Sequence, residues 1–195
     1  MQPMTSTRSD FKFPTIHNFP PFYTRQPTDS TWESQLTQWN ELILSYCRHY
    51  NIFRIDLHEV TAPGVSELFE NSKLKRRLSF ETLQEIVDEM VQKGDAEWED
   101  GKKGSKSQAI VYWRKPEDWA NLILGWVNET GMNNNNILTV YEIAHGDLAE
   151  GQPFYELNQY ILLKALNILV KRGVAQLFKG SSDDENMGIK FFNTS

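Results

Sequence analysis

Between residues 30 and 46 the large apolar side chains fall at Trp32, Leu36, Trp39, Ile43 and Tyr46, steps of four and three that draw one stripe along a helix. Ser30 and Glu33 have the spacing of a capping box at its start. A short extended element follows around Phe53 to Leu57, and a second helix is predicted near Leu68 to Arg77. A third helix opens at Ser79, is striped by Phe80, Leu83, Val87 and Met90, and stops at Gly94. Two short strands, "AEWED" and "AIVYW", then flank a polar loop over residues 99 to 109.

The same order recurs in the second half. Pro116 suits a first helical position, Glu117 and Asp118 favour the positive helix start, and Trp119, Leu122, Ile123 and Trp126 form the stripe ahead of Gly131. A middle element covers Ile137 to Ala144. Leu162, Leu166, Leu169 and Val170 stripe another helix before Gly173, and "AQLFK" and "IKFF" flank a loop over residues 178 to 188. "WNELIL" at 39 to 44 matches "WANLIL" at 119 to 124 in four of six positions with an offset of 80. "KGDAEW" at 93 to 98 lies opposite "RGVAQL" at 172 to 177, and "IVYW" at 110 to 113 opposite "IKFF" at 189 to 192, both offset by 79. This is an internal duplication.

Helix, strand, helix, helix, hairpin is the order of a winged helix. The predicted fold class is therefore α+β, mainly helical, with two tandem winged-helix domains and short β-hairpin wings. Their expected limits are 29–114 and 115–195, preceded by an extended segment over 1–28 and joined near Arg114 to Pro116 with almost no linker.

Composition narrows the possible functions. The 195 residues include 39% hydrophobic and 12% aromatic side chains, enough for real cores. Lys and Arg total 20 against 26 Asp and Glu, a formal charge of -6 that repels polyanions on average. The excess lies in the second half, where residues 116 to 195 carry 5 basic and 10 acidic side chains. Cys47 is the one cysteine, which fits a reducing compartment and is expected to be a buried filler. No run approaches the ~18 to 20 apolar residues of a membrane span, and the start lacks the apolar region of a signal peptide, so a cytoplasmic protein is expected. The sequons at Asn128 and Asn193 then carry no meaning.

A winged helix invites the question of nucleic acid. The third helix of the first copy displays Glu81, Glu85, Asp88 and Glu89 against Lys93 alone, and an acidic helix cannot approach phosphates without counter-charge. The second has Lys164, Lys171 and Arg172, with no row suited to base edges. The compact basic patch is Lys73, Lys75, Arg76 and Arg77, read as a solvated helix face or a contact for an anionic partner. A tandem winged-helix nucleic-acid-binding regulator is kept as the alternative. Catalysis has less support: "GKKGS" at 101 to 105 lacks the glycine spacing of a phosphate loop and reads as a wing tip. His17, His49, His58 and His145 are scattered, and no four-ligand zinc set exists. No catalytic residue, cofactor or metal is expected.

Protein binding remains, and "FPPFYTRQPT" at 19 to 28 is its carrier. Pro20 and Pro21 bias the backbone toward polyproline geometry, so that Phe19, Phe22 and Tyr23 are displayed with little entropy left to lose. Three readings stay open: a plug for another protein's pocket, a strap in which Phe11, Phe13, Ile16, Phe19 and Phe22 cover the chain's own first domain, or a WW-module ligand on the "PPFY" pattern.

"FPPFYTRQP", "LF.N..L.R.LS" over Leu68 to Ser79, "VYWRKPEDWANLI", and "LTVYEIAHGD" followed by "LLKAL" resemble, in order and over essentially the whole chain, the small-subunit family of the ESCRT-II endosomal sorting complex, the vacuolar protein sorting-associated protein 25 family. The resemblance implies a non-enzymatic scaffold in multivesicular body sorting of ubiquitinated membrane cargo. It implies two copies joined to one copy each of two larger ESCRT-II subunits. It maps the anchor for those subunits onto Pro20, Pro21, Phe22 and Tyr23, with the two prolines holding the path and the two rings supplying the buried contact. It also implies recruitment of an ESCRT-III subunit by the second winged helix, cytoplasmic localisation with recruitment to the endosomal membrane, and membrane contact only through the complex.

Overall fold

A computed structural model of the chain describes residues 10–101, 104–132, 137–178 and 187–192. The chain divides into two compact units, Met1–Trp113 and Arg114–Ser195. Each has the α+β, mainly helical build expected of it.

In the first unit the order is helix α1 (Asp29–Tyr50), strand β1 (Arg54–Asp56), a one-turn helix α2 (Leu57–Val60), a small hairpin β2 (Glu70–Asn71) and β3 (Arg76–Arg77), helix α3 (Phe80–Gln92), and strands β4 (Ala96–Trp98) and β5 (Gln108–Val111). In the second it is α4 (Pro116–Thr130), β6 (Ile137–Thr139), α5 (Val140–His145), α6 (Gln159–Lys171), β7 (Ala175–Phe178) and β8 (Gly188–Phe191). The two three-stranded antiparallel sheets have matching orders, β1-β5-β4 and β6-β8-β7.

The duplication reaches the hydrogen bonds of the connections. Where the third helix ends, the glycine takes positive φ, 72° at Gly94 and 74° at Gly173. The next amide then folds back onto the helix, Asp95 N–H to Met90 O at 2.8 Å and Val174 N–H to Leu169 O at 3.2 Å. A side chain there would meet the left-handed penalty that glycine escapes. The amide just after each final strand donates into the turn ahead of the partner strand, Tyr112 N–H to Asp95 O and Phe192 N–H to Val174 O, at 2.8 and 2.9 Å. Trp39 and Trp119, equivalent in the repeat, are both fully buried beneath their units, with Ile43 and Ile123 one turn on.

Two local expectations are corrected. The residues near Leu68 to Arg77 form no helix: the β2–β3 hairpin turns through Ser72 to Lys75, the Asn71 side-chain oxygen accepts the Leu74 amide at 3.1 Å, and Lys75 has φ 53°. The Asn-Ser-Lys turn chemistry lets Phe69 and Leu78 enter the core from its two sides, joined by Leu78 N–H to Phe69 O at 2.9 Å. Ser30 and Glu33 do not cap α1, which begins a residue earlier and has Thr28 as its boundary without a side-chain cap. The capping box of this fold lies instead at Thr139 and Glu142, on α5. The tip residues Lys102 and Lys103 of "GKKGS", most of the 178 to 188 loop and the Asn193 sequon lie outside the described residues.

Ser79 and Asn158 cap the two third helices, accepting from Thr82 N–H and from Tyr160 and Ile161 N–H. Ser79→Ala and Asn158→Ala are each expected to cost about 1 kcal/mol, read as a lowered urea midpoint with unchanged slope.

Candidate functional site

The segment 10–28 wraps the first unit. Two 3₁₀-helical turns, Thr15–Asn18 and Pro20–Tyr23, carry it across α1 and the β2–β3 hairpin. The polyproline path expected at Pro20 and Pro21 is thus replaced by a closed turn, with Phe22 N–H on Phe19 O at 2.9 Å and Thr24 N–H on Pro21 O at 3.2 Å. Proline fixes φ near the value that both conformations share; ψ separates them, and ψ is set here by what Phe22 and Tyr23 touch.

Both rings point inward, each 3% exposed. Phe22 lies flat on Trp39, centroids 4.1 Å apart and planes within 5°. Tyr23 meets the edge of Trp39 at 5.8 Å, and Phe69 stacks on that indole at 6.0 Å. The polar groups of the segment are satisfied from α1: the Trp39 indole N–H and the Gln35 side-chain amide donate to Phe22 O at 3.1 and 2.6 Å. Gln35, buried at 5% exposure, also reaches Thr24 O. The Tyr23 hydroxyl donates to His17 O at 2.9 Å, and burial raises its pKa. Asn71, buried on β2, donates to the same carbonyl at 3.0 Å. Further out, Phe11 and Phe13 pack on Tyr46, and Phe13 stacks on His17 at 4.0 Å.

In the chain by itself Phe22 and Tyr23 belong to its own core, as the strap reading had it for Phe22. A WW module is excluded in this conformation, since "PPFY" is closed into a turn with its phenol buried. Phe19 alone of the strap's phenylalanines faces solvent, 52% exposed, beside exposed Pro20 and half-buried Pro21. Phe19, Pro21, Ile16 and Phe22 form one wall, and Gln35 and Gln38 of α1 the other, of a hollow of about 290 Å³.

On its other side the strap borders the basic cluster, with β3 against the Pro20–Tyr23 turn. Lys73, Lys75, Arg76 and Arg77 are all exposed on the hairpin, and among the described residues none has an ion-pair partner. Thr24, Ser72 and Ser79 join Lys75, Arg76 and Arg77 around a shallow space of about 580 Å³.

By contrast, the acidic face of α3 is already engaged. Arg25 of the strap binds Glu85 at 2.8 Å, Lys106 of the wing binds Asp88 at 2.7 Å, and Lys93 reaches Glu89 at 3.3 Å. Asp88 accepts the Trp98 indole N–H as well, and Gln84 donates to Lys106 O. Strap and wing both reach the middle of the helix, at Glu85 and at Gln84 and Asp88, so that part of the surface that would enter a DNA groove is occupied by the chain's own side chains. Elsewhere, Cys47 is buried and its thiol is pushed up to about 12 by desolvation, consistent with the filler role. Among the described residues no His, Cys, Asp and Glu group could hold a metal, and no helix is long and apolar enough to cross a membrane.

The roles of Gln35, Asn71 and His17 were missed from sequence. The sole signal was polar side chains at positions that the apolar stripe of α1 and the core-facing ends of the hairpin would otherwise fill.

A family model described as ESCRT-II complex subunit matches residues 16–158. The vacuolar protein-sorting-associated protein 25 of Dictyostelium discoideum is 40% identical over 193 residues, 94% of this chain and 97% of its own length. A crystal structure of subunit VPS25 of the endosomal trafficking complex ESCRT-II superposes with a TM-score of 0.76 at 27% identity, covering 91% of this chain and 97% of that one. A chain of the crystallised ESCRT-II complex (VPS22/VPS25/VPS36) does so at 0.74 and 28%, covering 91% and 98%.

Phe22→Ala removes the ring stacked on Trp39 and is expected to destabilise the first unit by about 3–5 kcal/mol. Tyr23→Phe should cost about 1 kcal/mol for the lost bond to His17 O. Near-UV circular dichroism during urea unfolding checks both.

Proposed function

The chain belongs to the family of ESCRT-II complex subunits, and from that premise we propose that it is a non-enzymatic scaffold docking on the larger subunits through the face shared by the strap and the β2–β3 hairpin. The observation that carries this reading is the contact of β3, with its unpaired cations Arg76 and Arg77, against the Pro20–Tyr23 turn that follows exposed Phe19, on a backbone fixed from beneath by Phe22 and Tyr23. A pre-ordered backbone spends little entropy on association, and apolar contact surrounded by charge supplies affinity and register together. The partner face must then offer an apolar recess for the proline turn and carboxylates opposite Arg76 and Arg77. The partners of this proposal are the counterparts of the VPS22 and VPS36 chains in the complex that this fold resembles.

Within the same reading, all four strap residues serve the site in two ways. Pro20 and Pro21 form the contact rim with Phe19, whereas Phe22 and Tyr23 hold the rim in place. The wider role is that of the family: two copies per assembly, with domains at 29–114 and 115–195 behind the segment 1–28, working at the endosomal membrane in sorting of ubiquitinated cargo to multivesicular bodies. The second unit serves as the recruiting end for an ESCRT-III subunit. Several of the chain's exposed large apolar side chains lie on it, Ile137, Tyr141 and Leu148 above all, at 61, 52 and 65% exposure. Membrane contact is left to the other subunits, in keeping with a chain of net charge -6.

Phe19→Ser combined with Arg76→Glu and Arg77→Glu should leave the thermal midpoint of the free chain within about 2 °C, because all three side chains are exposed and unpaired. The same variant should fail to co-purify with co-expressed larger subunits, and a native mass of the wild-type assembly should show two copies of this chain. Full-strength association of the triple variant would remove the proposed face.

A further inference from the structure

The strap is latched at one buried imidazole that the docking face does not use. His17 is 5% exposed. Its Nε2 lies 3.1 Å from Glu67 O and 3.3 Å from Leu68 O, so this nitrogen must carry the proton and donate to the two carbonyls. Its Nδ1 lies 3.5 Å from the side-chain amide nitrogen of Asn71, which can only donate. The amide cannot turn over to accept, since its nitrogen already serves His17 O and Asn18 Oδ1 and its oxygen holds the Leu74 amide. Phe13 covers one face of the ring, and Tyr23 meets its edge.

We propose that His17 is a proton-sensitive latch of the strap, closed while its imidazole is neutral and released when Nδ1 takes a proton that would point at the Asn71 amide. The titratable groups facing the ring are Tyr23 from the second strap turn and Glu67 from the loop ahead of β2. Tyr23 stays neutral, its phenol raised by burial. The Glu67 carboxylate and the two backbone carbonyls favour the charged ring, but burial outweighs them and lowers the histidine below its ordinary 6.5. The sign follows: the strap is fully held above 6.5 and loses stability as the pH falls below it, because the unfolded or lifted strap binds the proton more readily. One proton of linkage raises the population of lifted strap by up to about tenfold per pH unit. The proposal concerns the order of the free strap and stands whether or not the strap face docks on a partner.

Amide hydrogen exchange on the full chain at pH about 7.5 and about 5.5, corrected for intrinsic exchange, tests it. The strap amides of His17, Phe19, Phe22 and Thr24 should lose several-fold protection at the lower pH relative to those of β5, with about tenfold as the one-proton limit. His17→Gln, which keeps a donor but cannot titrate, should abolish that difference, and Glu67→Gln should enlarge it. In parallel, the His17 ring proton should titrate below 6.5 by NMR. Strap protection that does not change with pH, an undiminished difference in His17→Gln, or a His17 that charges at 6.5 or above with the strap still closed, each overturns the latch.

Discussion

The flat stack of Phe22 on Trp39 is the contact on which the first unit's strap face depends. It converts a proline-rich segment, which on its own would be a solvated extended chain, into a fixed part of the domain. The energetic reason is burial of two large rings, with the Pro21, Phe22 and Thr24 carbonyls met by donors from α1. Once Phe22 and Tyr23 are inside, Phe19 and Pro20 have no choice but to face out, and the rim is set by the residues that cannot be seen from it.

The duplication supplies the same framework twice, and the two copies finish it differently. In the first, the strap lies across the helix that carries Trp39. In the second, the Arg114 guanidinium sits 4.4 Å from the centre of the equivalent Trp119 ring. A buried indole at this position is thus common to both units, whereas the cover laid over it is specific to each. The surfaces differ at that cover: exposed Phe19 on one copy, exposed Ile137, Tyr141 and Leu148 on the other.

Electrostatics separate this protein from nucleic-acid readers of similar topology. Three of the acidic side chains of α3, Glu85, Asp88 and Glu89, are matched by Arg25, Lys106 and Lys93 from within the chain, each pair partly exposed and individually worth little, and the first two link strap and wing to the helix. Among the other cations, Lys73, Lys75, Arg76 and Arg77 form a compact group on a hairpin of two-residue strands. A local positive patch on a net-negative chain suits a carboxylate-bearing protein surface, where charge fixes register, better than a long polyanion that would meet repulsion on every side.

Much of this was legible in the residues. Helical spacing marked α1, α3, α4 and α6, glycines marked the ends of the last three, and the repeat offset of 79 to 80 fixed the order of elements in both halves. These are local signals, since period, cap and turn chemistry act within a few residues. Pro20 and Pro21 likewise fixed φ by their own covalent rings. What the residues left open was decided by long-range contact: whether ψ after those prolines would be extended or helical, whether Phe22 and Tyr23 would point in or out, and whether Leu68 to Arg77 would be helix or hairpin. Each of those outcomes rests on partners far along the chain, Trp39 and Gln35 for the strap, His17 for Asn71 on the hairpin, and no periodicity records a contact between residues 54 positions apart. The sequence by itself determined two repeated scaffolds and the chemistry available to them. Tertiary packing alone decided which of the four strap residues would lie at the surface and which would be kept inside.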